Sequence, residues 1–360
     1  MQKICIRSFV IGGWIAFITI CLYIQSPFGS RGNKTINVFA WGDILEPSIV
    51  AQFEKETGIK VRMSYYASNE ELIVKMKATK GEGYDLIIPS DYAVKILIQD
   101  QLLQPINKEK LNFWNEINPN LLGHHFDPQN TYSIPLEWEV FGFGIDKDFF
   151  SNRPLDPSWK LIFDKTQINY RISMTNDPIE AMLFASFYLF HDTKPLSALE
   201  TDKVKELLIQ QKLWVEAYAN FRGDYFLATR NCPVVVASSS YIWKTMRQFP
   251  FVSFIIPKEG SFICIENLAI PARTEKQEYT YQFINYLFQH ESVKTHFETF
   301  GFFPSTLQAL TDIDIDPRAR ELIESSSELF NQFHFIEEIV PQQILHDTWV
   351  EIKTSTPSSY

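Results

Sequence analysis

Apolar positions in the first third of the chain switch repeatedly between a period of two and a period of about 3.6, and the switches mark out elements. Residues 35–41 alternate toward an aromatic end at Trp41. Ile49, Val50 and Phe53 then fall at helical spacing over 46–57, and Gly58 supplies the stop. A second strand is expected over 59–66. Ser68 with Glu71 three residues on predicts a capped helix carrying Leu72 and Met76 and stopping near Gly81 or Gly83. Residues 84–88 form a short apolar run of the buried-strand kind, closed by Pro89-Ser90-Asp91-Tyr92. Strands alternating with helices imply parallel pairing, with ligands outside the carboxyl ends of the strands. Trp41, Tyr66 and Ser90-Asp91-Tyr92 should share that edge, with Asp43 just behind Trp41. From pattern alone, covering the sheet end and capping the next helix explain these residues as well as a ligand does.

The pattern then predicts a helix over 93–101 and a loop-rich stretch through Phe126-Asp127-Pro128-Gln129-Asn130. An apolar run over 136–145 follows, with Glu137, Trp138 and Glu139 inside it and Gly142 and Gly144 near its end. Such a run suits a crossing between lobes. A second block reads as a strand over 172–174, a helix over 178–191 and a helix over 202–218 with Val204, Leu207, Leu208, Trp214 and Val215 on one face. Strands over 233–237 and 251–256 precede a return crossing over 263–270. Helices follow, one with Phe283, Ile284, Leu287 and Phe288 on one face and one stopped by Gly301; the last sixty or so residues read as helices with loops and a frayed tail. An α/β block that is left and later re-entered implies two lobes, at least two crossings and a cleft between them.

At 360 residues two domains are expected. The formal charge of -10 argues against nucleic acid and favours a cationic partner, although a solvated acidic surface explains it equally well. Lys3 and Arg7 precede an uncharged, mostly apolar run over 9–24, which is an export pattern; cleaved signal and membrane anchor both stay open, and either places the rest of the chain outside the cytoplasm. Beyond that segment only Cys232 and Cys264 remain, more suited to small buried apolar positions than to a bridge. No phosphate loop, H-E-x-x-H, G-x-S-x-G or paired C-x-x-C occurs, and the seven histidines are scattered. Neither a metal site nor a catalytic residue is expected.

The acids at strand ends say more. Asp177-Pro178-Ile179-Glu180 follows a strand and opens a helix, and a capping box alone accounts for it; the other reading is a pair of carboxylates at the cleft. Glu266 lies inside the apolar run 263–270, where an acid is costly unless a cation or donor meets it.

These residues also carry a resemblance. Trp41 after a strand, Phe53-x-x-Glu56-Thr57-Gly58-Ile59-Lys60-Val61, Tyr84-Asp85-Leu86-Ile87-Ile88-Pro89-Ser90, Phe126-Asp127-Pro128 before Tyr132-Ser133-Ile134-Pro135, and Pro257-Lys258-Glu259-Gly260 before Asn267-Leu268-Ala269-Ile270-Pro271 resemble the spermidine/putrescine-binding proteins of bacterial polyamine transporters over about residues 35–305. The resemblance implies an α/β, two-lobed periplasmic-binding-protein fold of type II with the ligand between the lobes. With the export and tether patterns, the expected division is residues 1–25 as signal peptide or anchor, 26–34 as linker, 35–140 as lobe 1, 141–265 as lobe 2, 266–330 as the return to lobe 1, and 331–360 as a helical segment packing on lobe 2. By position, Trp41 matches a stacking aromatic, Ser90 and Tyr92 the next strand-end contacts, Asp177 and Glu180 an acidic pair, and Glu266 an acid at the second crossing; Asp43 and Asp91 complete the expected ligand set. Ile44, Cys264, Ser238 to Ser240 and Phe302 depart from family aromatics, so the cage thins while the carboxylates persist. The implied function is a monomeric, periplasmic polyamine-binding component of an importer, partnered by a membrane permease and its ATPase, with no cofactor and no enzymatic activity. Binding of another small cationic solute, or an anchored ligand sensor, would share these features.

Overall fold

The computed structural model describes residues 34–219, 223–308 and 316–357. The expected export segment and residues 26–33 of the linker lie outside the described residues. Among the described residues no helix is long and apolar enough to cross a membrane.

The first lobe opens with β1 (Thr35–Trp41), α1 (Pro47–Thr57), β2 (Lys60–Tyr66), α2 (Asn69–Thr79), β3 (Leu86–Ile87) and α3 (Asp91–Gln99). β1 pairs in parallel with β2 and β3. Gly58, at φ 69°, ends α1 as its spacing predicts, and Ser68 caps α2 by accepting from Glu71 N at 3.2 Å. α2 stops at Lys80, itself left-handed at φ 54°, a residue before the expected glycines. After α3 the chain loops until Asp127, whose carboxylate accepts from the backbone of Thr131, Tyr132 and Ser133 at 2.8–2.9 Å and fixes the entry to β4 (Ser133–Asp146).

After β4 come α4 (Lys147–Phe150), α5 (Lys160–Phe163), β5 (Ile172–Met174), α6 (Pro178–Phe190), α7 (Ala198–Gln211), β6 (Val215–Tyr218), α8 (Gly223–Ala228), β7 (Val234–Ser238), α9 (Ser239–Gln248) and β8 (Val252–Ile255). The helix expected over 202–218 is corrected here: α7 runs 198–211, and Val215 pairs with Ile172 in a parallel strand. Sheet pairing has overridden the helical spacing of Trp214 and Val215. The chain then returns along β9 (Ser261–Ala269) to α10 (Gln277–Leu287), α11 (His290–Phe300) and β10 (Phe303–Pro304), and ends with α12 (Pro317–Glu328), β11 (Phe333–Phe335) and α13 (Gln342–Thr354). α12 is joined to α9 by Arg318 Nη1, which donates to Met246 O at 2.8 Å. α13 packs on α6 and α7, burying Leu345 and Ile352 among Phe184 and Leu208.

One sheet, in the order β2-β1-β3-β9-β4-β7-β5-β6, runs through both lobes. Its middle is the antiparallel pair β4 and β9. The first half of β4 pairs with β9 and β10, the second half with β7 and β8. Side chains alternate across a strand, so this ribbon has two faces. Trp138, Val140, Ile263 and Ile265 point to one side and are buried in a core that also holds Val235, Phe254, Phe303 and Phe330. Glu137, Glu139, Cys264 and Glu266 point to the other. Each lobe adds its own core, around Ile36, Phe53 and Phe283 in the first and Phe143, Trp159 and Phe184 in the second.

Gly142 and Gly144 are explained by close approach: a Cβ on Gly142 would lie 2.5 Å from the Ile255 carbonyl oxygen, and one on Gly144 2.5 Å from Ile242 Cδ1. Gly142→Ala must push β8 away from β4, and a loss of about 1–3 kcal/mol is expected. Urea unfolding of the purified domain checks it; an unchanged midpoint would mean that the strands separate without cost.

Candidate functional site

The carboxyl ends of β1, β3 and β5 and the acidic face of the β4–β9 ribbon converge where the lobes meet. Register sets the floor. Glu137 stands opposite Glu266, and Glu139 opposite Cys264. Residues directly opposite in an antiparallel pair share a face, so three carboxyls and a thiol form one patch on a two-strand ribbon.

Each acid is handled differently. Glu137 Oε2 contacts His296 Nε2 of α11, a partly buried ion pair when the imidazole is protonated, while its Oε1 is buried with no hydrogen-bond partner. Glu139 Oε2 accepts from Ser240 Oγ at the start of α9. Glu266 Oε1 accepts from Ser90 Oγ at 2.6 Å and from Cys264 Sγ at 3.5 Å, and its Oε2 is buried with no partner. Ser90 is itself held by Asn69, whose Nδ2 donates to its Oγ at 3.0 Å.

The strand ends add more. Trp41 is half-buried with its ring 4.8 Å from that of Tyr66, and its Nε1 has no partner. Asp43 is exposed at φ 59°. Tyr92 OH donates to Glu70 Oε1 at 2.6 Å. Across the junction, Asp177 Oδ1 caps α6 by accepting from Ile179 N at 2.8 Å and Glu180 N at 3.1 Å, while Glu180 Oε2 accepts from Thr175 Oγ1 at 2.6 Å. Asp91 differs from the rest. It is buried, with Oδ1 on Tyr92 N and Oδ2 on Ile265 N, so it ties α3 to the crossing strand and has no oxygen turned toward a ligand.

Burial pushes five of these carboxyls upward, those of Asp91, Glu139, Asp177, Glu180 and Glu266. Glu139 rises to about 7 because it is desolvated, against the pull of the Ser238 and Ser240 hydroxyls. Glu180 rises to about 8 through burial and then the Asp177 charge, and Asp91 to about 7 through burial against its two backbone donors. Burial also raises Asp177, against its backbone donors and with a further push from Glu70 across the junction. Glu266 goes well up: burial leads, the Ser90 hydroxyl opposes it, and the charged neighbours Glu137, Asp91 and Glu139 are all acids. The arrangement is short of positive charge.

The residues expected in the site from the sequence are Trp41, Asp43, Ser90, Asp91, Tyr92, Asp177, Glu180 and Glu266. The structure brings Ser90 to Glu266 and sets Tyr92 near Asp177, and it gives Asp91 a latch rather than an open face. Glu70, Glu137 and Glu139, not among the site residues expected from the sequence, also stand at this junction. For Glu137 and Glu139 the signal was present, since an acid in an apolar run is what marked out Glu266. Next to Glu137 and His296 lies a small pocket lined by Leu45, Ile49, Leu287, Phe288 and Phe302; its walls are mostly apolar and gather no further carboxylate.

Residues 48–319 match the family described as bacterial extracellular solute-binding protein, and the chain belongs to it. Its architecture is the two-lobed α/β fold of periplasmic binding proteins. The chain is 30% identical over 300 residues to the putrescine-binding periplasmic protein of Escherichia coli, covering 78% of this chain and 80% of that one. It is 29% identical over 272 residues to the spermidine/putrescine-binding periplasmic protein of Salmonella typhimurium, covering 75% and 77%. The putative spermidine/putrescine ABC transporter structure from Listeria monocytogenes superposes with a TM-score of 0.76 at 24% identity, covering 89% of this chain and 99% of the other, and so shares the fold.

Carboxyls whose folded pKa lies above the unfolded value stabilise the fold when protonated, and that contribution disappears as pH rises through the folded pKa. With Asp91 and Glu139 near 7 and Glu180 near 8, the ligand-free protein should lose several degrees of melting temperature between about pH 6.5 and 8. Thermal melts across that window check it. A flat or rising profile would mean that the cluster is already ionised and solvated.

Proposed function

We propose that the protein captures an aliphatic polyamine between its lobes, outside the cytoplasm, and hands it to a membrane permease driven by an ATPase. The observation that carries this reading is Glu266: buried, with one oxygen without a partner and only acids among its charged neighbours. An isolated buried carboxylate is costly, and a protonated amine brought in as ligand is the counter-ion that would offset it. Asp177, Glu180 and Glu70 offer a second anionic station across the junction. Trp41, Tyr66, Tyr92 and Tyr241 supply ring faces for methylenes and ammonium groups, each cation–π contact adding ~0.5–2 kcal/mol. The names of the relatives from Escherichia coli and Salmonella typhimurium support the same chemistry.

In this reading the lobes are residues 35–140 with the return over 266–330, and 141–265 with residues 331–360 packed on the second lobe, and they close about the crossings at Val140 and Glu266. The protein acts as a monomeric carrier rather than a catalyst. Residues 1–25 export it and, where uncleaved, anchor it to the inner membrane.

Calorimetric titration with putrescine and spermidine tests the assignment. Glu266→Gln should cost about 2–5 kcal/mol of binding, because a ligand ammonium is left buried without its partner, while folding survives. Asp177→Asn separates two roles: Asn caps a helix as well as Asp, so a pure cap leaves affinity unchanged, whereas a ligand carboxylate weakens it. Wild-type affinity in both variants would return these residues to structure alone.

A further inference from the structure

Lys244 brings a cation into this acidic junction. It lies four residues beyond Ser240 on α9, hence on the same helix face, and Ser240 is the residue whose hydroxyl bonds Glu139. Its Nζ sits 5.5 Å from the centre of the Tyr241 ring and 5.4 Å from that of Phe300. Two aromatic rings beside an ammonium and a carboxylate close by are what an amine ligand would be given. Yet Lys244 makes no ion pair among the described residues. It is half-buried, and burial holds its ammonium below the usual lysine value against the pull of Asp43, Glu139, Asp224 and Glu137.

We propose that Lys244 is a built-in ammonium that faces the Glu139 station of the ligand site from α9 and thereby limits the cargo to amines with two charges. The proposal rests on the polyamine reading above. A lysine side chain ends as an aliphatic diamine does, in a primary ammonium on a four-carbon stem. With that group turned to the Glu139 side of the junction, a ligand's ammonium groups have two stations left: Ser90 with Glu266, and Asp177 with Glu180 and Glu70. A diamine fills both. A triamine must set its third charge beside Lys244, and a like charge placed against a competing ligand is how a site rejects what it could otherwise hold.

The test is titration of the wild type, Lys244→Met, Lys244→Gln and the double variant Lys244→Met/Glu139→Gln with putrescine and spermidine. Wild type should prefer putrescine. Both single variants should improve spermidine relative to putrescine by about tenfold or more, since a like-charge contact at a half-buried site exceeds the 1.4 kcal/mol that tenfold represents. The double variant should keep the part of that gain due to relieved repulsion and lose the part due to Glu139, the partner that removing Lys244 uncovers. Gln keeps a polar side chain, so it gives the answer if the Met variant folds poorly. Equal gains for both amines would reduce Lys244 to general repulsion and overturn the proposal, as would no gain for spermidine. If neither amine binds wild type or variants, the polyamine reading fails and the proposal with it.

Discussion

The antiparallel pairing of β4 with β9 places Glu137 directly opposite Glu266, and two acids so placed weaken a sheet whenever both ionise. The rest of the molecule makes sense around that cost. The back of the same ribbon, Trp138, Val140, Ile263 and Ile265, is buried in a core that includes residues of both lobes. Burying a residue as large as Trp138 contributes a few kcal/mol, so the apolar face holds the register that the acidic face opposes. Neither strand could slip by one residue to relieve the charges without turning its apolar side chains out.

The acids at the junction then fall into a graded series according to what already neutralises them. Asp91 has two backbone donors and serves to tie α3 to β9. Glu137 has His296. Glu139 has hydroxyls and Lys244 at longer range, and Glu266 has a hydroxyl and a weak thiol donor. Asp177 caps a helix with one oxygen and still feels Glu70 from the other lobe. The least satisfied members are those at which an incoming cation gains most, and they lie on both sides of the junction. A cation bound there would link the lobes, which is how binding couples to closure in two-lobed folds.

Much of this was legible in the chain. β1, β5 and the glycine stops at Gly58 and Gly301 fall where period and punctuation put them. What failed did so for tertiary reasons. Val215 carries a helical period but finds a strand partner in Ile172, and residues 333–335, expected as helix or loop, add a parallel strand to β9. Local pattern holds no information about either partner. Asp91 read as a strand-end ligand because its distant partner, Ile265 N, lies 174 residues away. Glu139 was visible as an acid in an apolar run, but its weight comes from standing beside Cys264 in register, and only the pairing reveals that. Lys244 has no sequence signature at all; a lysine on an amphipathic helix is ordinarily a solvated one.

If the cleft is a cluster of desolvated carboxyls held partly protonated until a cation arrives, binding must expel protons. Titration of putrescine into the ligand-free protein near neutral pH, in two buffers of different ionisation enthalpy, reads that directly as a difference in observed heat. Net proton release to the buffer is expected, shrinking in Glu139→Gln and Glu266→Gln. Heats independent of buffer, or proton uptake, would contradict the picture of a site that stores protons in place of its ligand.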